Sequence, residues 1–353
     1  MQRPFGGLKA MEGQIKTQPV QLTKDDFVSD QMVKWCPGCG DHAILHSVEK
    51  VFPELGIPKE NFVVVSGIGC SSRFPYYMNT YGIHGIHGRA AAIASGVKIS
   101  NPELSVWMIT GDGDCMAIGG NHFIHVLRRN LDINILLFNN KIYGLTKGQY
   151  SPTTPMGSVT KTSPQGTIEH PFNPGELVIG AQGTFFARVL DTNPKMMTDI
   201  FMDAARHKGT SLVEVLQNCV IFNNKVHDLI TNKATKDDNT IILEEGKPMI
   251  FGKDNDKGIR LNGLALEVVR LGENGITEKD LLVHDPDHSD TGIQMMIAGM
   301  TPPAFPMALG VIRRVKQVTY EVLLENQIAH ARETSPIKNM DDLLRSGNTW
   351  SVE

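Results

Sequence analysis

Long apolar runs are missing from this 353-residue chain. No stretch approaches the ~18–20 residues that a bilayer-spanning helix requires, which excludes an integral helical membrane protein. An excess of one charge is missing too. Lys plus Arg number 34 against 38 Asp plus Glu, a net charge of −4, so a nucleic-acid backbone is not expected as the main partner. The first sixteen residues lack the apolar core of a secretory signal, which makes a cytoplasmic location the expectation. Cysteine is sparse, with Cys36, Cys39, Cys70, Cys115 and Cys219 in the whole chain. In a cytoplasmic protein such thiols are read as metal ligands or as packed core residues rather than as disulfides. No internal repeat or low-complexity tract is present.

What is present is an alternation of helices and short apolar strands. Residues 1–30 lack a sustained apolar period and read as an N-terminal arm. Asp41 can cap a helix carrying Ile44, Val48 and Val51 on one face. Apolar strands are expected at 62–66, 105–110, 133–138 and 211–217, with helices at 90–99 and 194–207. Such runs imply an α/β fold, a doubly wound and mostly parallel sheet covered on both faces. Residues 31–225 form its main domain. Residues 226–353, more polar, read as a smaller C-terminal extension with strands near 240–243 and a helix near 263–271.

Ligands of such sheets gather beyond the carboxyl ends of the strands. Gly111-Asp112-Gly113-Asp114 follows one predicted strand and Asn139-Asn140 follows the next. The glycines allow close backbone approach to a diphosphate, which a following helix N-terminus favours. Asp112 offers a hard oxygen to a divalent cation, Asn140 a neutral one, and the Ile142 carbonyl a third. One Gly-Asp-Gly alone is weak, because Asp-Gly pairs are common in turns. The pair of motifs, each after a buried strand, resembles the thiamine-diphosphate enzymes. That resemblance implies Asp112, Asn140 and Ile142 as magnesium ligands, with Gly111, Gly113 and Asp114 at the diphosphate.

The cysteines fall at the same strand ends. Cys36-Pro-Gly-Cys39 sets two thiols in a tight turn, Cys70 follows the strand at 62–66, and Cys219 follows the strand at 211–217. Four thiolates suit either a [4Fe–4S] cluster or a four-cysteine zinc site, and composition does not separate the two. Chemistry does: decarboxylation of a 2-oxoacid at thiamine leaves electrons for a nearby one-electron acceptor, a role redox-inert zinc cannot fill. Cys115 has no partner in this scheme and reads as a packed core residue.

Trp35-Cys-Pro-Gly-Cys-Gly-Asp41, Gly67-Ile-Gly-Cys-Ser-Ser-Arg73, Asn79-Thr-Tyr-Gly82, His87-Gly-Arg89 and Tyr143-Gly-Leu-Thr-Lys-Gly-Gln149 occur in that order. Together they resemble the beta subunits of 2-oxoacid:ferredoxin oxidoreductases over roughly residues 30 to 225. The resemblance implies a [4Fe–4S] cluster on Cys36, Cys39, Cys70 and Cys219, thiamine diphosphate with Mg2+, coenzyme A as co-substrate and ferredoxin as electron acceptor. It also implies a partner alpha subunit carrying the pyrimidine-binding domain, since no second doubly wound unit is found here, with a gamma chain or domain as a further candidate. Two features lean toward 2-oxoglutarate. Arg73 offers a guanidinium fork for a distal carboxylate, and the segment 144–154 resembles the 2-oxoglutarate and broad-range branches. Leu145 and Lys147 are further candidate substrate contacts, and His87 a candidate cofactor contact. Broad-range or pyruvate oxidoreductases, a non-oxidative thiamine decarboxylase and a zinc interaction protein are the competing readings.

Overall fold

The computed structural model describes residues 21–350 and Val352, so most of the expected N-terminal arm lies outside the described residues. Eleven strands occur among the described residues: β1 (Phe62–Ser66), β2 (Tyr81–His84), β3 (Ser105–Gly111), β4 (Ile133–Asn139), β5 (Phe185–Leu190), β6 (Ser211–Leu216), β7 (Thr240–Ile242), β8 (Ile250–Phe251), β9 (Lys257–Asn262), β10 (Ala265–Arg270) and β11 (Met307–Arg314). Eight of them form one sheet in the order β2-β1-β3-β4-β6-β5-β11-β7. The first six run parallel. Of these, β1, β3, β4, β5 and β6 are apolar because both of their faces are covered.

Side chains alternate between the two faces, and the core divides accordingly. Val63, Val65, Val106, Met108, Ile133, Ile135 and Leu212 pack on one side with the helices Ala90–Ser100 and Gly120–Arg129. Phe62, Val64, Trp107, Ile109, Val213 and Val215 face the other, under the helices Asp41–Glu54 and Pro194–Arg206. Phe27 enters this second layer and meets Phe52 and Phe62 edge-on, each with ring centroids 5.4 Å apart. The segment just before the Cys36-Pro-Gly-Cys39 turn is therefore anchored by a buried aromatic side chain.

Residues 226–353 do not stand apart from the main sheet. β11 pairs antiparallel with β5, and β7 pairs parallel with β11, closing that edge. The helix expected near 263–271 is instead a hairpin, β9 against β10, beside the short β8. A short apolar window cannot separate helix from strand by period alone. Here Gly263, at φ +62°, sits in a two-residue connection that only a hairpin turn uses. The helix Tyr320–Thr334 and the short helix Met340–Leu344 follow, largely exposed. No helix among the described residues is long and apolar enough to cross a membrane.

Candidate active site

β1, β3, β4 and β6 are successive neighbours in the sheet. The loops leaving their carboxyl ends carry Cys70, Asp112, Asn139 to Ile142, and Cys219 in turn. A cavity of about 510 Å³ opens over them. Its walls include Cys70, Gly111, Asp112, Gly113, Asn140 and Ile142. The sheet order alone therefore gathers segments that are far apart in the chain.

Asp112 begins the short helix Asp112–Met116 and is only 2% exposed. Its Oδ2 accepts hydrogen bonds from Ser151 Oγ at 2.5 Å and Thr153 Oγ1 at 2.6 Å. Burial pushes its carboxyl up to about 6 despite those donors. A cation beside it would relieve that cost. The facing loop is equally constrained. Asn140 Oδ1 accepts from the Ile142 N–H at 3.1 Å, and the Asn140 carbonyl accepts from Asn223 Nδ2 at 2.9 Å. Lys141 between them takes a left-handed φ of +56°. Tyr143 lays its ring against Gly113, where an added Cβ would come within 2.3 Å of the ring.

Asp114, expected at the diphosphate, has both oxygens occupied by the protein. Oδ1 accepts from the backbone N–H of Ile68 (3.2 Å) and of Gly88 (2.7 Å) and lies 2.8 Å from His87 Nδ1. Oδ2 accepts from Thr110 Oγ1 at 2.9 Å. One carboxylate thus joins the loop carrying Cys70, the loop carrying His87 and the end of β3. Gly67 makes this fit, because a Cβ there would lie 1.9 Å from Asp114 Oδ2. Gly67→Ala is expected to lower stability by about 1–3 kcal/mol. A thermal melt unchanged from wild type would refute that packing argument.

The thiols converge on the same rim. An added Cβ on Gly144 would lie 3.4 Å from Cys219 Sγ and 3.7 Å from Cys70 Sγ. The missing side chain leaves the space between these sulfurs open. Gln217 Nε2 donates to Cys39 Sγ at 3.1 Å, and Trp35 Nε1 donates to the Cys70 carbonyl at 2.7 Å. Burial first, then the charge of Asp41 and the neighbouring thiols, pushes the Cys70 thiol up to about 12 and Cys39 upward as well. These are protonated thiols until a metal displaces the protons, not reactive nucleophiles. They are not closed into a cage: among the described residues no three His, Cys, Asp or Glu side chains are set closely enough to hold a metal ion. Cys115 is buried in the apolar layer and away from this rim.

The expected substrate contacts divide. Leu145, half exposed, lines the cavity, and so does His87. Arg73 is not in the cavity wall; it is half-buried beside Cys70, whose thiol its charge lowers. Lys147 is exposed outside the cavity at φ +75°.

Several residues of the site escape a reading of motifs. Ser151 and Thr153 hold Asp112, although Tyr-Ser-Pro-Thr-Thr looks like a loop. Glu214 and Arg188 lie in buried strands, paired at 2.7 Å, and Glu214 Oε1 accepts from Asn139 Nδ2 at 2.7 Å. Their signal was available: a charge inside Ser-Leu-Val-Glu-Val-Leu or Phe-Phe-Ala-Arg-Val-Leu has no place in a buried strand unless paired.

Comparison with known proteins agrees with this geometry. Residues 67–215 match the family described as "Thiamine pyrophosphate enzyme, C-terminal TPP binding domain". The chain is 45% identical over 331 residues to the 2-oxoglutarate oxidoreductase subunit KorB of Mycobacterium tuberculosis, covering 93% of this chain and 88% of that one. It is 40% identical over 229 residues to the 2-oxoglutarate synthase subunit KorB of Methanocaldococcus jannaschii, covering 63% of this chain and 84% of that one. Among solved structures it resembles a 2-oxoglutarate:ferredoxin oxidoreductase from Magnetococcus marinus with 2-oxoglutarate, coenzyme A and succinyl-CoA bound. The TM-score is 0.73 at 29% identity, covering 94% of this chain and 97% of that one.

Proposed function

Since this chain belongs to the 2-oxoacid:ferredoxin oxidoreductases as a beta subunit, we propose that it carries the thiamine diphosphate and the [4Fe–4S] cluster of a complex acting on 2-oxoglutarate. The reaction is oxidative decarboxylation with coenzyme A to succinyl-CoA and CO2, the electrons leaving to ferredoxin. One observation carries the reading: the loop with Cys70 and the loop with Asp112 wall the same cavity.

Thiamine diphosphate supplies the electron sink that lets a 2-oxoacid lose CO2. A [4Fe–4S] cluster supplies the one-electron acceptor. For Mg2+, Asp112 contributes the anionic oxygen while Asn140 and the Ile142 carbonyl contribute neutral ones, a hard-oxygen set suited to that ion. Ser151 and Thr153 fix the carboxylate through its Oδ2. Gly111 and Gly113 line the cavity where the diphosphate would sit, and Gly113 admits the Tyr143 ring beside it. Cys36, Cys39, Cys70 and Cys219 supply four soft donors for iron, and Gly144 lies beside the sulfurs of Cys70 and Cys219.

The partner subunit follows from what the cavity wall lacks. Its acids are Asp41, Asp112 and Asp114, and no glutamate among the described residues lines it to activate the aminopyrimidine ring. Beside it, the edge strand β2 and the nearby loops expose Tyr81, Ile83, Ile86 and Ile118. An exposed apolar edge of this kind favours a covering protein surface, and an alpha subunit with the pyrimidine-binding domain fits it. The complex is expected in the cytoplasm.

Metal and sulfide analysis of the anaerobically purified alpha–beta complex, with turnover across a panel of 2-oxoacids, tests the assignment. Iron and sulfide at cluster stoichiometry and coenzyme A-dependent dye reduction with 2-oxoglutarate are the expected results. Stoichiometric zinc without iron would overturn it. Arg73 is half-buried beside Cys70, and its charge acts on that thiol. Arg73→Ala is therefore expected to cost 2-oxoglutarate turnover about tenfold more than pyruvate turnover, the scale of a lost charge-assisted pair. Equal losses in kcat/KM for the two substrates would remove Arg73 from substrate recognition.

A further inference from the structure

Behind the loop 139–142, on the side away from the cofactor cavity, lies a second cavity of about 300 Å³. Period-2 alternation puts Asn139 on β4, Glu214 on β6 and Arg188 on β5 on one face of the sheet, at neighbouring carboxyl ends. That row forms its floor, with Lys141, Thr153, Asn173, Thr301 and exposed Glu176 around it.

The charges there do not close on themselves. Arg188, 2% exposed, donates from Nε to Glu214 Oε2 at 2.7 Å. Its Nη2 makes only long contacts, 3.3 Å to the Ala298 carbonyl and 3.4 Å to Asn173 Oδ1. Its Nη1 is buried without any partner. Lys141 brings its amine to the same cavity wall and forms no ion pair among the described residues. Glu214, whose oxygens are taken by Arg188 and Asn139, and Asp112 beyond the loop are the carboxylates that act on Lys141. Glu176 lies at the exposed rim and holds neither cation in an ion pair. A buried guanidinium with an idle N–H costs free energy unless an acceptor reaches it.

We propose that this cavity is a binding site for a small oxyanion, a carboxylate or a phosphate group, held between Arg188 and Lys141 and distinct from the diphosphate site. Its size falls at the lower limit of ligand pockets, enough for one such group and a short stem. The idle Nη1 of Arg188 supplies one donor and the Lys141 side chain a second.

The test uses the alpha–beta complex saturated with thiamine diphosphate and Mg2+, so that the diphosphate site is filled. Acetate and inorganic phosphate are titrated separately by calorimetry against chloride at equal ionic strength. Saturable binding of one of the two is expected and identifies which oxyanion the site prefers. Lys141→Met should weaken it about tenfold or more. A second variant, Arg188→Gln combined with Glu214→Gln, removes both buried charges together and should abolish binding; if it fails to fold, Lys141→Met decides alone. Binding that never saturates, or that Lys141→Met leaves unchanged, marks an adventitious ion only and overturns the proposal. This readout does not depend on turnover, so it fails or succeeds separately from the 2-oxoglutarate assignment.

Discussion

Cys70→Ser is expected to strip the purified complex of iron and to lower one-electron dye reduction more than about 100-fold, beyond what losing a hydrogen-bond partner of a metal ligand costs. Cys70 lies in the cavity wall and its carbonyl is pinned by Trp35. The backbone should therefore stay in place while the soft ligand becomes a hard hydroxyl that binds iron poorly. Decarboxylation without electron transfer belongs to the other half of the site, so slow CO2 release from 2-oxoglutarate should persist in this variant. Cys115→Ser supplies the control. That thiol is buried in the apolar layer, where burial pushes it upward, and its loss should lower stability while leaving iron content intact. Full iron content in Cys70→Ser would show that the four thiols do not share a cluster.

Asp112→Asn is expected to weaken Mg2+ and diphosphate binding about 10–100-fold or more while the metal-free chain holds or gains stability. The direction follows from burial. The Asp112 carboxyl is raised from 3.8 to about 6, so its ionised form is disfavoured in the folded, metal-free chain. The stability linked to this group is fully present below its unfolded value and is lost as pH rises through about 6. Asparagine abolishes that slope, and Ser151 and Thr153 can turn their hydroxyls to meet the amide. In the wild type, protons and Mg2+ compete for the same oxygen, so apparent Mg2+ affinity should fall as pH drops below about 6. Melting curves of metal-free wild type and variant from pH 4 to 8, with Mg2+ titrations alongside, check both signs. A variant that binds Mg2+ normally would place the ion elsewhere.

The fold was readable where physics acts locally. Phe62-Val-Val-Val-Ser66 and Ile133-Asn-Ile-Leu-Leu-Phe138 are apolar because both faces of β1 and β4 are covered, and period and composition suffice to find them. The edges were less readable. β2 is exposed along its length and carries no such run, and β11 joins the sheet antiparallel from more than a hundred residues beyond β5 in sequence. The hairpin at Gly263 turned on a positive φ that apolar spacing does not report. In the site, spacing brought Cys70, Asp112 and Asn140 to one cavity wall, because each follows a strand. It could not tell Asp112, held by Ser151 and Thr153, from Asp114 two residues on, whose oxygens are taken by Ile68, Gly88, His87 and Thr110. Which way a carboxylate turns depends on donors from Ile68, His87 and Gly88, and these meet only after folding.

Asp114 also bears on protein design. Anyone grafting four cysteines onto a thiamine-binding scaffold of ordinary type would be moving ligands without the clasp that aligns them. In this chain a single inward carboxylate registers the sulfur-bearing turn against the turn under the diphosphate, and Gly67 is shaped to admit it. A transplant that carried Gly67, Gly88, Thr110 and Asp114 along with the thiols would preserve the spacing between the two turns. One that carried the thiols alone would leave that distance to chance.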